Sequence, residues 1–345
     1  MRIVVPAGGV GAARFLRGLK AAVPDAKITV IGNTGDDVTL FGLRICPDLD
    51  TVMYTLGGGI NPEQGWGRSA ETFSVREELA AYQAEPGWFT LGDRDIATHI
   101  VRTERLGAGQ RLSEVTAALC ERWQPGVTLL PMTDERVETH VLIEEEQARA
   151  AGLPSRPDSR KSKDQPDQPA TAGRRAIHFQ EWWVRLGARI PAAGITAVGA
   201  ANAVPAPGVL DAIAAADIVV FPPSNPVVSI GTILAVPGIR HAFEQKIVVG
   251  VSPIIGGAPV RGMADACLAA IGVPATAAAV AAWYGPRLLN GWVVDGADKP
   301  AVDDPALAAM TVRARPLYMH DVPTTAAIAR ECVDLATELA AGRAP

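Results

Sequence analysis

Apolar and polar positions follow two rhythms along the first sixty residues. Ile3-Val4-Val5 is a short β-branched run, closed by Pro6 and the turn Gly8-Gly9-Val10-Gly11. Phe15, Leu16 and Leu19 then recur at helical spacing as far as Pro24, the stripe of a helix with one buried face. Ile28-Thr29-Val30-Ile31 is a second strand, opening into Gly32-Asn33-Thr34-Gly35-Asp36-Asp37. Strand, helix and strand in that order make the βαβ unit of a parallel, doubly wound sheet.

From Glu63 to Trp123 the strand signals fade. Helical patterns cover Glu77 to Tyr82, Asp95 to Leu106 and Leu112 to Trp123. Residues 63–125 are therefore expected to form a helical lobe beside the sheet. Strand patterns resume at Val127 to Leu130 and Thr139 to Ile143, and again at Ile218 to Phe221 and Ile247 to Val251. The expected fold is α/β: one domain over residues 1–345, with a Rossmann-like, doubly wound, mostly parallel sheet and an inserted helical lobe. The loops at the carboxyl ends of parallel strands gather on one edge, where ligands bind.

Residues 144–175 break the pattern. They hold thirteen charged residues and four prolines, with Leu153 as the one large aliphatic side chain. Such a stretch buries too little apolar surface to offset its ordering entropy, so it reads as a flexible charged insertion with no part in catalysis.

Composition narrows the class. The chain is 48% hydrophobic and 20% charged, with a net charge of −5, which argues against a general nucleic-acid binder. Cys46, Cys120, Cys267 and Cys332 lie far apart and fit neither a zinc site nor a disulfide framework. No apolar run is long enough to span a bilayer, and the N-terminal run breaks before it could act as a signal peptide. A cytoplasmic protein without membrane or nucleic-acid partners is expected.

The candidate chemistry sits in the loops. Gly8, Gly9 and Gly11 let the backbone turn tightly and aim N–H groups at a phosphate; a ligand-free tight turn is the alternative. Arg14, where the dinucleotide fingerprint wants glycine, falls in the first helical turn and either faces a phosphate or is a solvated surface arginine. Asp36-Asp37 and the pair Asp48 and Asp50 in "CPDLDT" suit magnesium, which takes one or two carboxylates plus phosphate oxygens; helix capping is the alternative. In "LGDRDIATH", Asp93 or Asp95 is expected to cap its helix, while Arg94 either pairs with a neighbouring aspartate or reaches an anion. His99 reads as an ordinary packed or exposed histidine. Ser224 and Asn225 in "PPSNP" either read a base or ribose edge or close their own turn. Arg261 is a second candidate cation, and Trp182-Trp183 puts one ring in the core with another free to stack. There is no P-loop and no nucleophile elbow.

In order along the chain stand "GGVGAARFLRGL", "GNTGDD", "CPDLDTVMYTLGG", "LGDRDIATH", "HFQEWW", "PPSNPVVSIGTIL" and "VSPIIGGAPVRGMA". Together they resemble the CofD/FbiA family across nearly the whole chain outside residues 144–175. The resemblance implies a transferase that moves a phosphoryl-linked three-carbon acid from a guanosine diphosphate donor to the hydroxyl of the deazaflavin FO, releasing GMP, in coenzyme F420 biosynthesis. It implies magnesium as cofactor and a homodimer. Asp37 and Asp50 match the family aspartates for magnesium and the FO hydroxyl. The glycine loop and Arg14 would face the diphosphate, and Ser224 and Asn225 the guanosine. Asn33, Asp36, Thr90, Asp93, Arg94 and Ser252 complete the expected substrate contacts. Thr90 stands where several archaeal relatives carry a lysine or arginine, so no ionic FO contact is carried over to it. The actinobacterial look of "RICPDLDT" and "HFQEWWVR" favours a phosphoenolpyruvyl donor over a 2-phospholactyl one. YvcK-like UDP-sugar-binding regulators are the rival reading, but they carry Gly and Ser after the paired aspartates, where this chain has Val38-Thr39-Leu40-Phe41.

Overall fold

The computed structural model describes residues 1–153 and 173–342. Its strands in chain order are β1 (Arg2–Ala7), β2 (Lys27–Gly32), the hairpin β3 (Val38–Leu40) and β4 (Leu43–Ile45), β5 (Thr128–Pro131), β6 (Glu138–Glu144) and β7 (Arg174–His178). Then come β8 (Gly194–Val198), β9 (Ile218–Phe221), β10 (Val248–Val251), the short hairpin β11 (Ile254–Ile255) and β12 (Ala258–Pro259), β13 (Gly291–Val294) and β14 (Thr311–Ala314). Seven of them form one sheet in the order β14-β13-β10-β9-β1-β2-β5. All its pairings are parallel, Val5 opposite Val30 and Ile3 opposite Ile218.

Both faces of this sheet are covered, so its strands read as unbroken apolar runs. Ile3 and Val5 enter one core and Val4 the other, as do Val220 and Val219. The first core lies under α1 (Gly9–Ala22) and the C-terminal helix Val322–Ala341. From β1 the chain winds outward through β2 to β5, then returns to the other side of β1 with β9. The direction of winding therefore reverses between β1 and β9, and a crevice opens at their carboxyl ends. The helices α2 (Pro47–Leu56), α3 (Ser74–Ala81), α4 (Asp93–Gly107) and α5 (Leu112–Trp123) follow before β5.

Two expectations change. The strand expected at Thr139 to Ile143 exists as β6 but lies outside the parallel sheet. It pairs antiparallel with β7 and β8, because Val141 and Ile143 pack into a separate core with Trp182 and Phe179. The flexible insertion expected from 144 to 175 is ordered at both flanks. A helix, α6 (Glu145–Ala150), buries Ala148, and Leu153 is buried with it. Arg174 pairs with Glu144 at 2.9 Å and Arg175 with Glu145 at 2.6 Å. Arg174 thus meets its cross-strand neighbour and Arg175 the first residue of α6, which composition could not show. Residues 154–172, on which the rest of that expectation falls, lie outside the described residues.

Helix α1 touches the C-terminal helix at Gly18, where a methyl group would lie 2.5 Å from Thr325 Cγ2 and 2.6 Å from the Thr325 carbonyl carbon. Gly18→Ala should therefore destabilise the protein by about 1–3 kcal/mol despite alanine's better helix propensity. Urea unfolding measures this, and an unchanged or higher midpoint would show that the two helices separate freely.

Candidate active site

The crevice is closed by protein groups before any ligand enters. Ser224, after β9, donates from Oγ to the Gly8 carbonyl at 2.9 Å and accepts on Oγ from the Gly8 N–H at 3.4 Å. A methyl on Gly11 would lie 2.6 Å from the Pro223 carbonyl oxygen, and one on Gly8 2.7 Å from Asp48 Oδ2. Two of the loop glycines are thus small because other parts of the chain lie against them: α2 against Gly8 and the turn after β9 against Gly11. Gly9 holds φ of +72° with only Asp48 nearby, and α1 begins there without a side-chain cap. Its first N–H groups are those of an anion-binding helix start.

Facing this turn is a cluster of buried acids. Asn33, at the end of β2, donates to Asp48 Oδ2 at 2.9 Å and accepts from the Gly35 N–H at 2.9 Å. Burial, then the charges of Asp48 and Asp37, push Asp36 well above the usual carboxylate range. Burial pushes Asp48 up to about 6, against the Asn33 hydrogen bond. Asp37 receives Arg44 Nη2 at 2.8 Å and the Cys46 thiol at 3.0 Å on one oxygen. Its other oxygen, Asp36 Oδ1 and Thr34 Oγ1 are buried without hydrogen-bond partners. The bare oxygens of Asp36 and Asp37 are of the type that a hard cation takes.

Asp50 looks elsewhere. It lines a cavity of about 670 Å³ walled by Tyr54, Trp66, Phe73, Trp88, Phe89 and Trp183, with Thr90 and Gln180 at its edge. Both Asp50 oxygens receive Arg102, Nη1 at 3.0 Å and Nη2 closer still, and this carboxylate keeps the buried guanidinium firmly charged. Arg102 Nη1 also points at His99 Nδ1 at 3.1 Å. Because arginine only donates, His99 carries its proton on Nε2, which faces Asp95 Oδ2 at 3.5 Å. Asp95 in turn accepts from the Tyr54 hydroxyl at 2.7 Å. Burial alone would raise Asp95, but His99 and then Tyr54 hold it below the usual range. Asp50, Asp95 and His99 offer ligand atoms within 4.8 Å of one another.

The β7 end braces the acid cluster. Gln180 N–H donates to His178 Nδ1 at 3.1 Å, which leaves Nε2–H to donate to the Asp37 carbonyl at 3.1 Å. Burial lowers His178 to about 4, so this neutral form persists through the physiological range.

Several expected site residues have local duties. Asp93 caps a helix, but not its own: its carboxylate accepts from the Ser74 and Val75 N–H groups at 3.0 Å each, at the start of α3. Glu71 caps α4 in exchange, through the N–H groups of Arg94 and Asp95. The Arg94 side chain is exposed. Asn225 Oδ1 accepts from Val227 and Val228 N–H, closing its own turn. Ser252 Oγ is bound to the Ile254 backbone. Arg14 lies in the second turn of α1 rather than the first, because the helix starts inside the glycine loop at Gly9. The sequence reading passed over Arg44, Arg102 and Tyr54, and gave Asp95 only a capping role. The spacing of Asp95, His99 and Arg102 (i, i+4, i+7) was the available signal, since it places all three on one face of α4.

A glycine loop at the switch point of a doubly wound parallel sheet, with buried carboxylates opposite it, defines an α/β enzyme. The chain belongs to the CofD family, whose pattern, described as 2-phospho-L-lactate transferase CofD, matches residues 3–333. It is 63% identical to a phosphoenolpyruvate transferase of Streptomyces griseus over 99% of this chain and 100% of that one. It is 62% identical to one of Thermobifida fusca (98% and 99% covered) and 50% identical to one of a Mycobacterium species (97% and 99%). In fold it is similar to a UPF0052-family protein of Bacillus halodurans, with a TM-score of 0.58 at 15% identity, covering 96% of this chain and 98% of that one.

The acid cluster makes stability depend on pH with an unusual sign. A carboxyl raised from 3.8 to about 6 on folding binds protons more tightly when folded, so stability falls as pH rises from about 4 to about 6. Asp48→Asn keeps the Asn33 contact without the charge. It should gain about 2–3 kcal/mol over wild type at pH 7.5 and almost nothing at pH 4. Thermal unfolding at both pH values checks this; an equal effect at both would show that Asp48 is not raised by burial.

Proposed function

We propose that the protein transfers a phosphoenolpyruvyl group from enolpyruvyl-diphospho-guanosine to the side-chain hydroxyl of FO, giving dehydro-F420-0 and GMP. The names of its relatives support the donor acid. The observation that carries the reading is the flat-walled aromatic cavity with Asp50 in its wall, set beside the glycine loop. Gln64 and Gly67 line this cavity, while Gly65 between them rests on Val10 of the loop. A ring-bearing acceptor and a phosphate-bearing donor thus have adjoining places. Trp183 and Trp88 offer stacking faces, and the apolar walls account for the binding of a tricyclic ring.

In the proposed step the FO hydroxyl oxygen attacks the donor's β-phosphorus, the bridging P–O bond breaks and GMP departs with that oxygen. The hydroxyl proton passes to a carboxylate. Asp50 suits that role because it faces the cavity; its two contacts with Arg102 leave lone pairs unused. Asp37 and Asp36 suit the cation, since each has a buried oxygen without a partner. Magnesium held there would neutralise charge on the diphosphate. The chain's own part is positioning: the helix start of α1 binds the phosphates, and Thr90 and the aromatic walls orient the ring.

The first experiment is mass spectrometry of FO incubated with the protein, magnesium and donors made from phosphoenolpyruvate or 2-phospholactate. A phosphoenolpyruvyl adduct is expected, lighter by one pair of hydrogens than the phospholactyl one. An adduct with phospholactate only would reassign the donor, and none with either donor would reject the transferase. Asp50→Asn and Asp37→Asn should each lower the transfer rate by about 100-fold or more. A near-wild-type rate in either variant removes that residue from the mechanism.

A further inference from the structure

Two carboxylates lie within reach of one buried guanidinium. Asp95, His99 and Arg102 follow one another on one face of α4, and Asp50 and Tyr54 on the facing α2. Helix side chains lean towards the N-terminus of their own helix, so Arg102 leans back over His99 towards Asp95. The two are separated by about 10 Å of helix axis, a span that an extended arginine and an aspartate bridge together. Burial raises Asp95, and His99, then Tyr54 and Arg102, lower it, so the guanidinium charge is felt there too. Yet Arg102 closes on Asp50 with both Nη atoms.

His99 stands between the rivals, 1% exposed. Its Nδ1 lies 3.1 Å from Arg102 Nη1 and 3.7 Å from Asp50 Oδ2. Its Nε2 lies 3.5 Å from Asp95 Oδ2 and is buried with no closer partner. The ring thus turns a lone pair to the guanidinium and an N–H to Asp95. Tyr54 takes the other Asp95 oxygen at 2.7 Å, so each oxygen of that carboxylate faces a proton donor other than Arg102. Glu71 already caps α4, so the start of the helix does not need Asp95. An apolar side chain would fill the place of His99 without taking two ring nitrogens out of water; the imidazole has work on both edges.

We infer that His99 is a positioning residue for the transfer: it reserves Arg102 for Asp50 by filling the path, and facing the oxygen, through which Asp95 would otherwise draw the guanidinium. Asp50 is then held in one orientation in the cavity wall, where the acceptor hydroxyl meets it. The inference rests on the transferase reading for the role of Asp50, but half of its test needs no turnover.

His99→Ala opens the space between Asp95 and Arg102. In a crystal structure of that variant Arg102 should leave Asp50 and close on Asp95. In His99→Ala/Asp95→Asn, where the rival charge is gone, it should return to Asp50. With FO and enolpyruvyl-diphospho-guanosine, His99→Ala should lower kcat by about 10–100-fold and leave the KM for FO within about threefold. Adding Asp95→Asn should raise kcat again by about threefold or more. A role confined to packing gives the reverse, since a second lesion in one cluster adds damage. His99→Gln, whose amide still donates towards Asp95, should keep Arg102 on Asp50 and kcat within about threefold of wild type; it carries the test if the alanine variant does not fold. Arg102 unmoved in His99→Ala, a double variant slower than the single one, or Arg102 off Asp50 in His99→Gln would each overturn the inference. If the wild-type protein transfers nothing, the proposed reaction falls, while the crystal structures still decide where Arg102 goes.

Discussion

Arg102 and Asp50 are both almost completely withdrawn from water, and the rest of the site is arranged around that fact. Taking a carboxylate and a guanidinium out of water costs several kcal/mol per ion. That cost is offset only when the pair is bidentate and its remaining groups are satisfied. Here Arg102 Nη1 also reaches His99 and the Arg44 carbonyl, while its Nε is buried without a partner. His99 turns to Asp95, and Asp95 to Tyr54. Arg44 carries the network to Asp37. Two acids placed on different elements are thereby fixed relative to one another, one in the wall of the aromatic cavity and the other in the acid cluster.

The two halves of the site differ electrostatically for the same reason. Around Asp50 every carboxylate has a cation or a proton donor, so that half is pre-formed. Around Asp36, Asp37 and Asp48 the negative charges outnumber their partners, and oxygens are left buried and bare. Across the 61–67 loop the imbalance is reversed, Arg14 and Arg261 ending near Gly65 without an ion pair among the described residues. A fold optimised for stability alone would not leave either imbalance in place.

Much of the fold was legible. β-Branched runs at Ile3 to Val5, Ile218 to Phe221 and Ile247 to Val251 become central strands because both faces of a parallel sheet are covered. Legibility ended at β6, whose sequence looks like any other strand; only its packing on Trp182 places it in a different sheet. The ordered flanks of the 144–175 segment escaped notice because Arg174 gains its partner across strands and Arg175 gains its own on α6, which no local composition reveals.

By itself the sequence determined the order of elements, the glycine turn, the carboxylates at strand ends and the family to which their combination belongs. These are local properties: backbone freedom, periodicity and residue type at short spacing. The tertiary structure decided which of those residues still have atoms to offer a ligand. Asp93, Asn225 and Ser252 are consumed by backbone N–H and carbonyl groups near them in space, while Thr90, Asp50 and Arg14 keep their reach. It also decided that Arg44, Arg102 and Arg261, ordinary surface cations by sequence, end beside acids or beside one another. Burial and convergence belong to pairs of residues far apart in the chain, so no single stretch could carry that information.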